Sequence, residues 1–475
     1  MPRSLKIIVF TVSGFVGFLV LVYAVLFLFV DINIHKPRLE AAASGALGMD
    51  VKVGGRLGIG FLPNLHVTLK DVHILNRGED VVSARDATLG IDFLPLLRKE
   101  VRIGKIALKQ PIISVVQERN GSFNFEKPPA ARGTLPFPDL TDLSLSGGTL
   151  NYTDKKSGTR FVATGCSLSA HRMGPAGGKS ADLRRNLSFT AEVACRAIRR
   201  NDFTMSDVKF AADGRNGIID LKPVTMRVFG TQGSGSIHAN FAGAIPVYYV
   251  RCFLPQFHIG EFFKTITPQK VAAGTMDFSA NLSMQGKTVH EMIQSMTGKL
   301  LLTGENLTLN GSDLDREFAR FSSSQNFNLV DVGAFFFAGP FGLAITKGYN
   351  FANLLRGSGG SSKIIKLVSE WNVKHGVAQA QDVAMATKRN RIALHGGLDF
   401  VSGRFKDVTV ALIDDKGCAR VQQKITGSFG KPVVEKPSIF KTLTGPVLKL
   451  LKKGRELFPG GQCTVFYSGS VAPPK

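Results

Sequence analysis

Tryptophan occurs once in this sequence and tyrosine six times, against 35 phenylalanines. Nucleic-acid and protein interfaces use the half-polar rings of Tyr and Trp, whereas Phe suits a dry core or hydrocarbon. The shortage of stacking rings argues against nucleic acid as a partner. Cysteine is also sparse. Cys166, Cys195, Cys252, Cys418 and Cys463 form no C-x-x-C, and no His pair stands at metal-ligand spacing. A disulfide-dense scaffold and a zinc module are thereby excluded, and neither metal nor cofactor is expected. Acidic residues are the third shortage, 36 against 59 basic ones, for a net charge of +23. That imbalance attracts polyanions or anionic membrane surfaces. The basic residues are spread thinly along the chain, so anionic lipid head groups are the expected polar partner.

Long apolar runs are missing except at two places. Ile7 to Val30 carries no charge, and eighteen of its residues are Leu, Ile, Val or Phe. At about 0.4 kcal/mol each, these favour the bilayer by roughly 7 kcal/mol. A helix of this length reaches roughly 36 Å, enough to cross a hydrocarbon core of about 30 Å. A cleaved secretory signal would have a shorter apolar region with a cleavage site directly behind it. Here His35, Lys36, Pro37 and Arg38 intervene, so the run is expected to be an uncleaved anchor. Charge does not set its orientation, because Arg3 and Lys6 compete with Lys36 and Arg38. The second run, Leu329 to Thr346, is broken by Gly339-Pro340 and is read as a buried hairpin or helix plugging an apolar groove, with a span or ordinary core as alternatives.

Enzyme motifs fail in turn. Gly286-Lys287-Thr288 resembles the end of a phosphate-binding loop but lacks the earlier glycine, since Asn281 stands there. Gly230, Gly233 and Gly235 run into the alternating Ile237, Ala239 and Phe241 rather than a helix. Both are read as hairpin turns. Asp313 with Asp315, and Asp414 with Asp415, sit at a helix start and in a turn, where acids are favoured locally. The histidines form no sequence-legible triad, and no catalysis is expected.

The chain is instead dominated by alternation. A short stem helix from Pro37, with Leu39, Ala42, Ala43, Ala46 and Leu47 at helical spacing, stops at Gly48. From Val51 the period becomes two. Val67, Leu69, Leu89, Ile91 and Phe93 alternate with polar neighbours, as do Ile106, Leu108, Leu143, Leu145, Phe189, Phe278, Leu282, Leu307, Leu309, Ile392, Leu394, Val408 and Val410. Asn120-Gly121, Gly147-Gly148, Asp213-Gly214, Asn216-Gly217 and Gly396-Gly397 read as turns. The expected fold is mainly β: an N-terminal transmembrane helix, then a long, curled antiparallel sheet with one apolar, groove-like face and a few short helices. Those helices are expected at Ser312 to Phe321, Thr288 to Thr297, and after Thr444, where Val447, Leu450, Leu451 and Phe458 line one face amid lysines. Lys127 to Pro138 reads as a linker or edge crossing. The expected divisions are 1–30, 31–126, 127–290 and 291–475.

At both ends the wording resembles the AsmA family of bacterial envelope proteins. The N-terminal resemblance is the anchor followed by INIHKPRLEAAASGALGMDVKVGGRLGIGFLPNLHVTLKDVHILN. The C-terminal one runs through LTLNGSDLDREFARFSSSQNFNLVDVGAFFFAGPFGLAITKGYNF, WNVKHGVAQAQDVAMATKRNRIALHGGLDF and GCARVQQKITGSFGKPVVEKPSIFK. The middle supports the family by strand grammar alone. The resemblance implies a single-pass inner-membrane anchor, a periplasmic bulk, a role in outer-membrane biogenesis, and an architecture similar to bridge-like lipid transfer proteins. Phospholipid would then lie along Val67, Leu69, Leu89, Ile91, Phe93, Phe189, Phe278, Leu282, Leu307, Leu309, Phe335 and Phe337. An outer-membrane or periplasmic protein is a further expected partner. An anchored scaffold for outer-membrane protein assembly, with no bound lipid, is the alternative. An oxidising periplasm also makes Cys418 with Cys463 a candidate disulfide, and Cys166 with Cys195 a weaker one.

Overall fold

Alternating apolar residues bounded by turn signals are satisfied by strands with one dry face, and strands dominate the observed fold. A computed structural model describes residues 32–60, 64–92, 102–126, 140–175, 187–200, 203–265, 272–311, 313–316, 359–436, 438–439 and 465–474. The Ile7 to Val30 run, Phe93, Lys127 to Pro138, Leu329 to Thr346 with Phe335 and Phe337, the basic segment after Thr444, and Cys463 lie outside these residues. Among the described residues no helix is long and apolar enough to cross a membrane. The chain divides into two units, residues 1–201 and 202–475.

In the N-terminal unit the stem helix α1 (Lys36–Leu47) ends where Gly48 takes a φ of +66°. That left-handed conformation suits glycine after a helix, and its N–H bonds to the Ser44 carbonyl at 2.8 Å. Nine strands follow among the described residues: β1 (Asp50–Val53), β2 (Leu57–Gly60), β3 (His66–Asn76), β4 (Glu79–Ile91), β5 (Ile103–Lys109), β6 (Ile112–Gln117), β7 (Asp142–Asp154), β8 (Arg160–Pro175) and β9 (Leu187–Arg200). β1 and β2 share one edge of β3, and β5 and β6 together flank β4, all antiparallel. β7 then pairs parallel to both β5 and β6, and β8 and β9 continue antiparallel.

The sheet is therefore mixed, which corrects the expectation of an antiparallel meander. Parallel neighbours need a crossover of a dozen or more residues, and the long connection from β6 to β7 supplies it. A second correction concerns Gly147-Gly148, which lies inside β7 rather than in a turn. The pair forms an irregularity facing the break between β5 and β6, and a Cβ on Gly148 would stand 3.2 Å from Pro111 Cγ.

The C-terminal unit is an antiparallel meander among its described residues: β10 (Phe203–Arg215), β11 (Ile218–Val228), β12 (Thr231–Asn240), β13 (Val247–His258), β14 (Ala272–Ala273), β15 (Thr275–Gln285), β16 (Thr297–Asn310), β17 (Ser361–Lys374), β18 (Val377–Ala386), β19 (Arg391–Asp399), β20 (Arg404–Ile413), β21 (Ala419–Ser428), β22 (Lys431–Val434) and β23 (Ser438–Ile439). Asn216-Gly217 makes the β10–β11 turn, whereas Asp213-Gly214 and Gly396-Gly397 fall within strands. Helix α2 (Ile259–Lys264) buries Ile259, Phe262 and Phe263.

Helix α3 (Val289–Ser295) begins on a reciprocal cap. The Thr288 hydroxyl accepts from Glu291 N, and the Glu291 carboxylate accepts from Lys287 N at 2.7 Å. Gly286-Lys287-Thr288 thus enters a short helix, not a hairpin. Of the expected Ser312 to Phe321 helix only residues 313–316 are described, with Leu314 to Arg316 helical and Arg316 N bonded to the Asp313 carboxylate at 3.1 Å.

The expectation of one apolar face fails in β17 to β20, where both faces are buried. One face carries part of the main core, including Leu367, Trp371, Met385, Ile392, Leu394, Val408 and Val410. The other carries Val368, Ala384, Ala386, Ala393, Ala411 and Ile413 beneath Tyr467 and Val471 of the C-terminal strap, residues 465–474. Small alanines let the strap lie close to the sheet. Its backbone bonds to Gly417 through Phe466 N at 2.8 Å and Tyr467 N at 3.0 Å. The Tyr467 hydroxyl donates to Asp382, and Arg391 donates to the Val471 carbonyl at 2.9 Å.

Candidate functional site

Residues directly opposite in paired strands share a face, so the register of the N-terminal unit places its apolar residues in transverse rows. One row runs Val67, Leu89, Ile106, Leu143, Ala170, Ala191 from β3 to β9. The next runs Leu69, Ala87, Leu108, Leu145, Leu168, Val193. A third joins Ile74, Val82, Ile113, Leu150, Ala163, Ile198, and beside it Val115, Tyr152 and Phe161 are in register. Six strand positions at about 4.8 Å spacing make each row roughly 24 Å long. Half of a bilayer core is about 15 Å thick, so a leaflet-length alkyl chain fits on a row.

Most of this face stays half-exposed. Val67, Leu89, Ile91, Ile106, Leu108, Leu143, Leu145, Leu150, Leu168, Phe189 and Val193 are intermediate in exposure, the small Ala163, Ala170 and Ala191 between them are buried, and the buried large side chains gather at the start of the sheet. There Val53, Leu57, Leu69, Val72 and Ala87 are buried, with Leu39 of α1 packed against them. The opposite face is polar. Thr68, Thr88, Ser144, Ser169 and Glu192 fall in register there, with Ala107 of β5 between Thr88 and Ser144.

The sequence-expected groove residues separate into two environments. Val67, Leu69, Leu89, Ile91 and Phe189 belong to the half-open face. Phe278, Leu307 and Leu309 are 5%, 0% and 3% exposed inside the packed core of the C-terminal unit, with Leu282 half-buried at its margin. Phe93, Phe335 and Phe337 lie outside the described residues. The groove residues expected from sequence include only Phe189 from β5 to β9; the other apolar residues of those strands, above all Ile106, Leu145, Leu150, Leu168 and Val193, were not among them. Their alternation was visible, but the parallel register that aligns them with β3 and β4 was not.

Two side-chain constellations on the polar face bear on chemistry. Ser169 Oγ lies 2.8 Å from His171 Nε2, and His171 Nδ1 lies 2.7 Å from Asp142 Oδ1. This is the order of a nucleophile, base and acid. Its surroundings differ from an acyl-transfer site, because β8 is flanked by β7 and β9 and the ladders draw in the backbone N–H groups that an oxyanion hole needs. Hydrogen bonding to His171 instead holds the Asp142 carboxyl below its usual range. His73, bonded to Asp80 at 3.1 Å and to Asp71 at 3.2 Å, has its pKa raised, mainly by Asp80. No group of three or more metal-ligating side chains occurs among the described residues.

Cys166 and Cys195 form a disulfide that ties β8 to β9, with Cα atoms 4.0 Å apart. Cys418 is disulfide-bonded, and its expected partner Cys463 lies outside the described residues. Cys252 is free, and burial raises its thiol pKa.

The fold and the face define a mainly β protein whose N-terminal unit presents a long, half-open apolar sheet surface. The AsmA family model matches residues 1–183, and this match supports assigning the chain to the AsmA family. The match takes in the apolar face from β1 to β8. The C-terminal blocks that also carried the resemblance lie outside it. No curated protein and no solved structure matches the chain.

Proposed function

We propose that the protein is a non-catalytic phospholipid carrier of the bacterial envelope, anchored in the inner membrane by Ile7 to Val30 with its bulk in the periplasm. Acyl chains would lie along the apolar rows of the N-terminal unit while head groups remain in water. The observation that carries this reading is the set of apolar rows crossing β3 to β9 that remain half-exposed. An apolar surface left uncovered costs about 25 cal/mol per Å², and a continuous one marks a binding surface. A lipid chain lying there removes that cost. Family membership and the large sheets support an envelope or lipid-related role. An outer-membrane or periplasmic protein partner would complete the route.

A scaffold role in outer-membrane protein assembly has its own support in the C-terminal unit, whose β17 to β20 are buried on both faces. The two readings assign different work to different units.

The test is photocrosslinking in cells. A photoreactive residue at Leu145 or Val193 should capture phospholipid, while one at Ser144 or Glu192 on the polar face should not. Equal labelling of both faces, or none at either, would sink the carrier reading.

A further inference from the structure

The turn between β18 and β19 is held by more bonds than a surface hairpin needs. Thr387 is fully buried. Its hydroxyl donates to Asp315 Oδ1 at 2.6 Å and accepts from Asn390 N at 3.0 Å, while Asn390 Nδ2 donates to the same carboxylate oxygen at 2.7 Å. Thr387 N closes the turn on the Asn390 carbonyl at 2.8 Å. The backbone of Lys388 and Arg389 is thereby fixed, while both side chains are exposed.

Lys388, Arg389 and Lys366 of β17 line a cavity of about 640 Å³. Its remaining wall is Ile365, Ala386, Ala472, Pro473 and Pro474, with no acidic residue. Among the described residues these three cations make no ion pair. The strap that supplies the prolines is fastened just before them, by Arg391 to the Val471 carbonyl and by Ser470 N to Asp382 Oδ2 at 3.0 Å. A neighbouring cavity of about 700 Å³ shares Lys388 and Arg389 and adds Arg316 and Lys363, but it also contains Asp313 and Asp315, which offset part of its positive charge.

We propose that the acid-free cavity between the β18–β19 turn and the C-terminal strap binds a phosphate monoester carrying a short apolar portion. A carboxylate supplies one charge for three unpaired cations, whereas a phosphate monoester carries about −1.5 to −2. The Arg389 guanidinium suits bidentate bonding to its oxygens, and the lysines act as point charges. The apolar portion lies on Ile365, Ala386, Ala472 and the two prolines. The volume is that of an ordinary small-ligand pocket, about 300–1,000 Å³. Such an ester is either a lipid phosphate head group or a soluble phosphate ester. The site adjoins the alanine-covered face of the C-terminal unit and is independent of the carrier reading.

The experiment is calorimetric titration of the full chain in zwitterionic detergent with three probes: dihexanoyl phosphatidic acid, glycerol 3-phosphate and dihexanoylglycerol. Dihexanoyl phosphatidic acid should bind, and Arg389→Gln and Lys388→Gln should each weaken it about tenfold or more, the scale of one charge-assisted bond. Glycerol 3-phosphate should bind more weakly, and dihexanoylglycerol should show no Arg389-dependent binding. Equal binding of the two phosphate probes, still lost in Arg389→Gln, would support phosphate recognition and assign the source to soluble esters. Truncation after Val471 should remove the preference for the amphiphile. Absence of binding by both phosphate probes, or binding unchanged in the Lys388→Gln/Arg389→Gln double variant, would overturn the proposal. So would binding lost in Leu145→Glu but kept in Arg389→Gln, which would place the ligand on the N-terminal apolar face.

Discussion

The two units share a strand grammar and differ in what lies over it. In the N-terminal unit Leu89, Ile106, Leu143 and Leu145 are half-exposed on one apolar face. In the C-terminal unit Leu307, Leu367, Trp371 and Ile392 are sealed, and the reverse face of β17 to β20 is sealed as well. Period-two alternation states that a face is apolar; it does not state whether that face is covered. Coverage depends on residues distant in sequence. The alanines of β18 to β20 are too small to shield themselves, and it is the strap from Phe466 to Val471 that excludes water from them.

Substitution in the two cores is the strongest way to break this comparison. Trp371 is 1% exposed and bonds through Nε1 to Ser369 Oγ at 2.7 Å, so Trp371→Ala should destabilise the C-terminal unit by about 3–5 kcal/mol. Ile106→Ala, on the half-open face, should cost only about 1 kcal/mol. Denaturant unfolding read by hydrogen exchange in each unit measures both, and equal costs would erase the distinction.

The Cys166–Cys195 bond closes a sequence separation of 29. Replacing both cysteines by Ser should cost about 3.6 kcal/mol by the loop-entropy relation. Faster amide exchange should appear in β7 to β9 and not in β17 to β20. A uniform change along the chain would mean that the units do not unfold separately.

Removal of the Tyr467 hydroxyl leaves Asp382 and Val471 N without their shared partner. Tyr467→Phe should therefore loosen the strap by about 1–2 kcal/mol and make residues 465–474 the first site of limited proteolysis. Unchanged cleavage kinetics would show that the alanine contacts alone hold the strap.

The smallest effect is one of pH, and its sign differs between the units. His73 has a raised pKa, so its contribution is complete below the ordinary value of 6.5 and is lost as pH rises through the raised value. His395 stacks on Phe466 with ring centroids 4.3 Å apart, and burial lowers its pKa. Its contribution is complete above 6.5 and declines as pH falls toward the lowered value. Each effect is below about 1 kcal/mol, because both side chains keep contact with water. His73→Gln and His395→Gln should flatten opposite slopes, read as local exchange rates between pH 5 and 8.

Much of the strand content was legible because alternation is local. The stem helix, its stop at Gly48, the Thr288-capped helix and the apolar candidates Val67, Leu89 and Phe189 follow from neighbours a few residues apart. Gly147-Gly148 misled because two glycines read equally as a hairpin turn or as a strand irregularity. The choice was made by Gln110 and Pro111, which join β5 to β6 opposite the pair. The Ser169–His171–Asp142 chain was invisible because Asp142 comes from a different strand.

By itself the sequence determined the class of structure: strands of alternating character, few helices, an excess of cations and a shortage of stacking rings. These properties follow from residue type and short-range spacing. Tertiary structure alone decided that β7 runs parallel to β5 and β6, that the N-terminal face stays half-open, and that the strap closes the reverse face of β17 to β20. Each of those outcomes depends on contacts across dozens of residues, where register, not composition, sets which side chains meet.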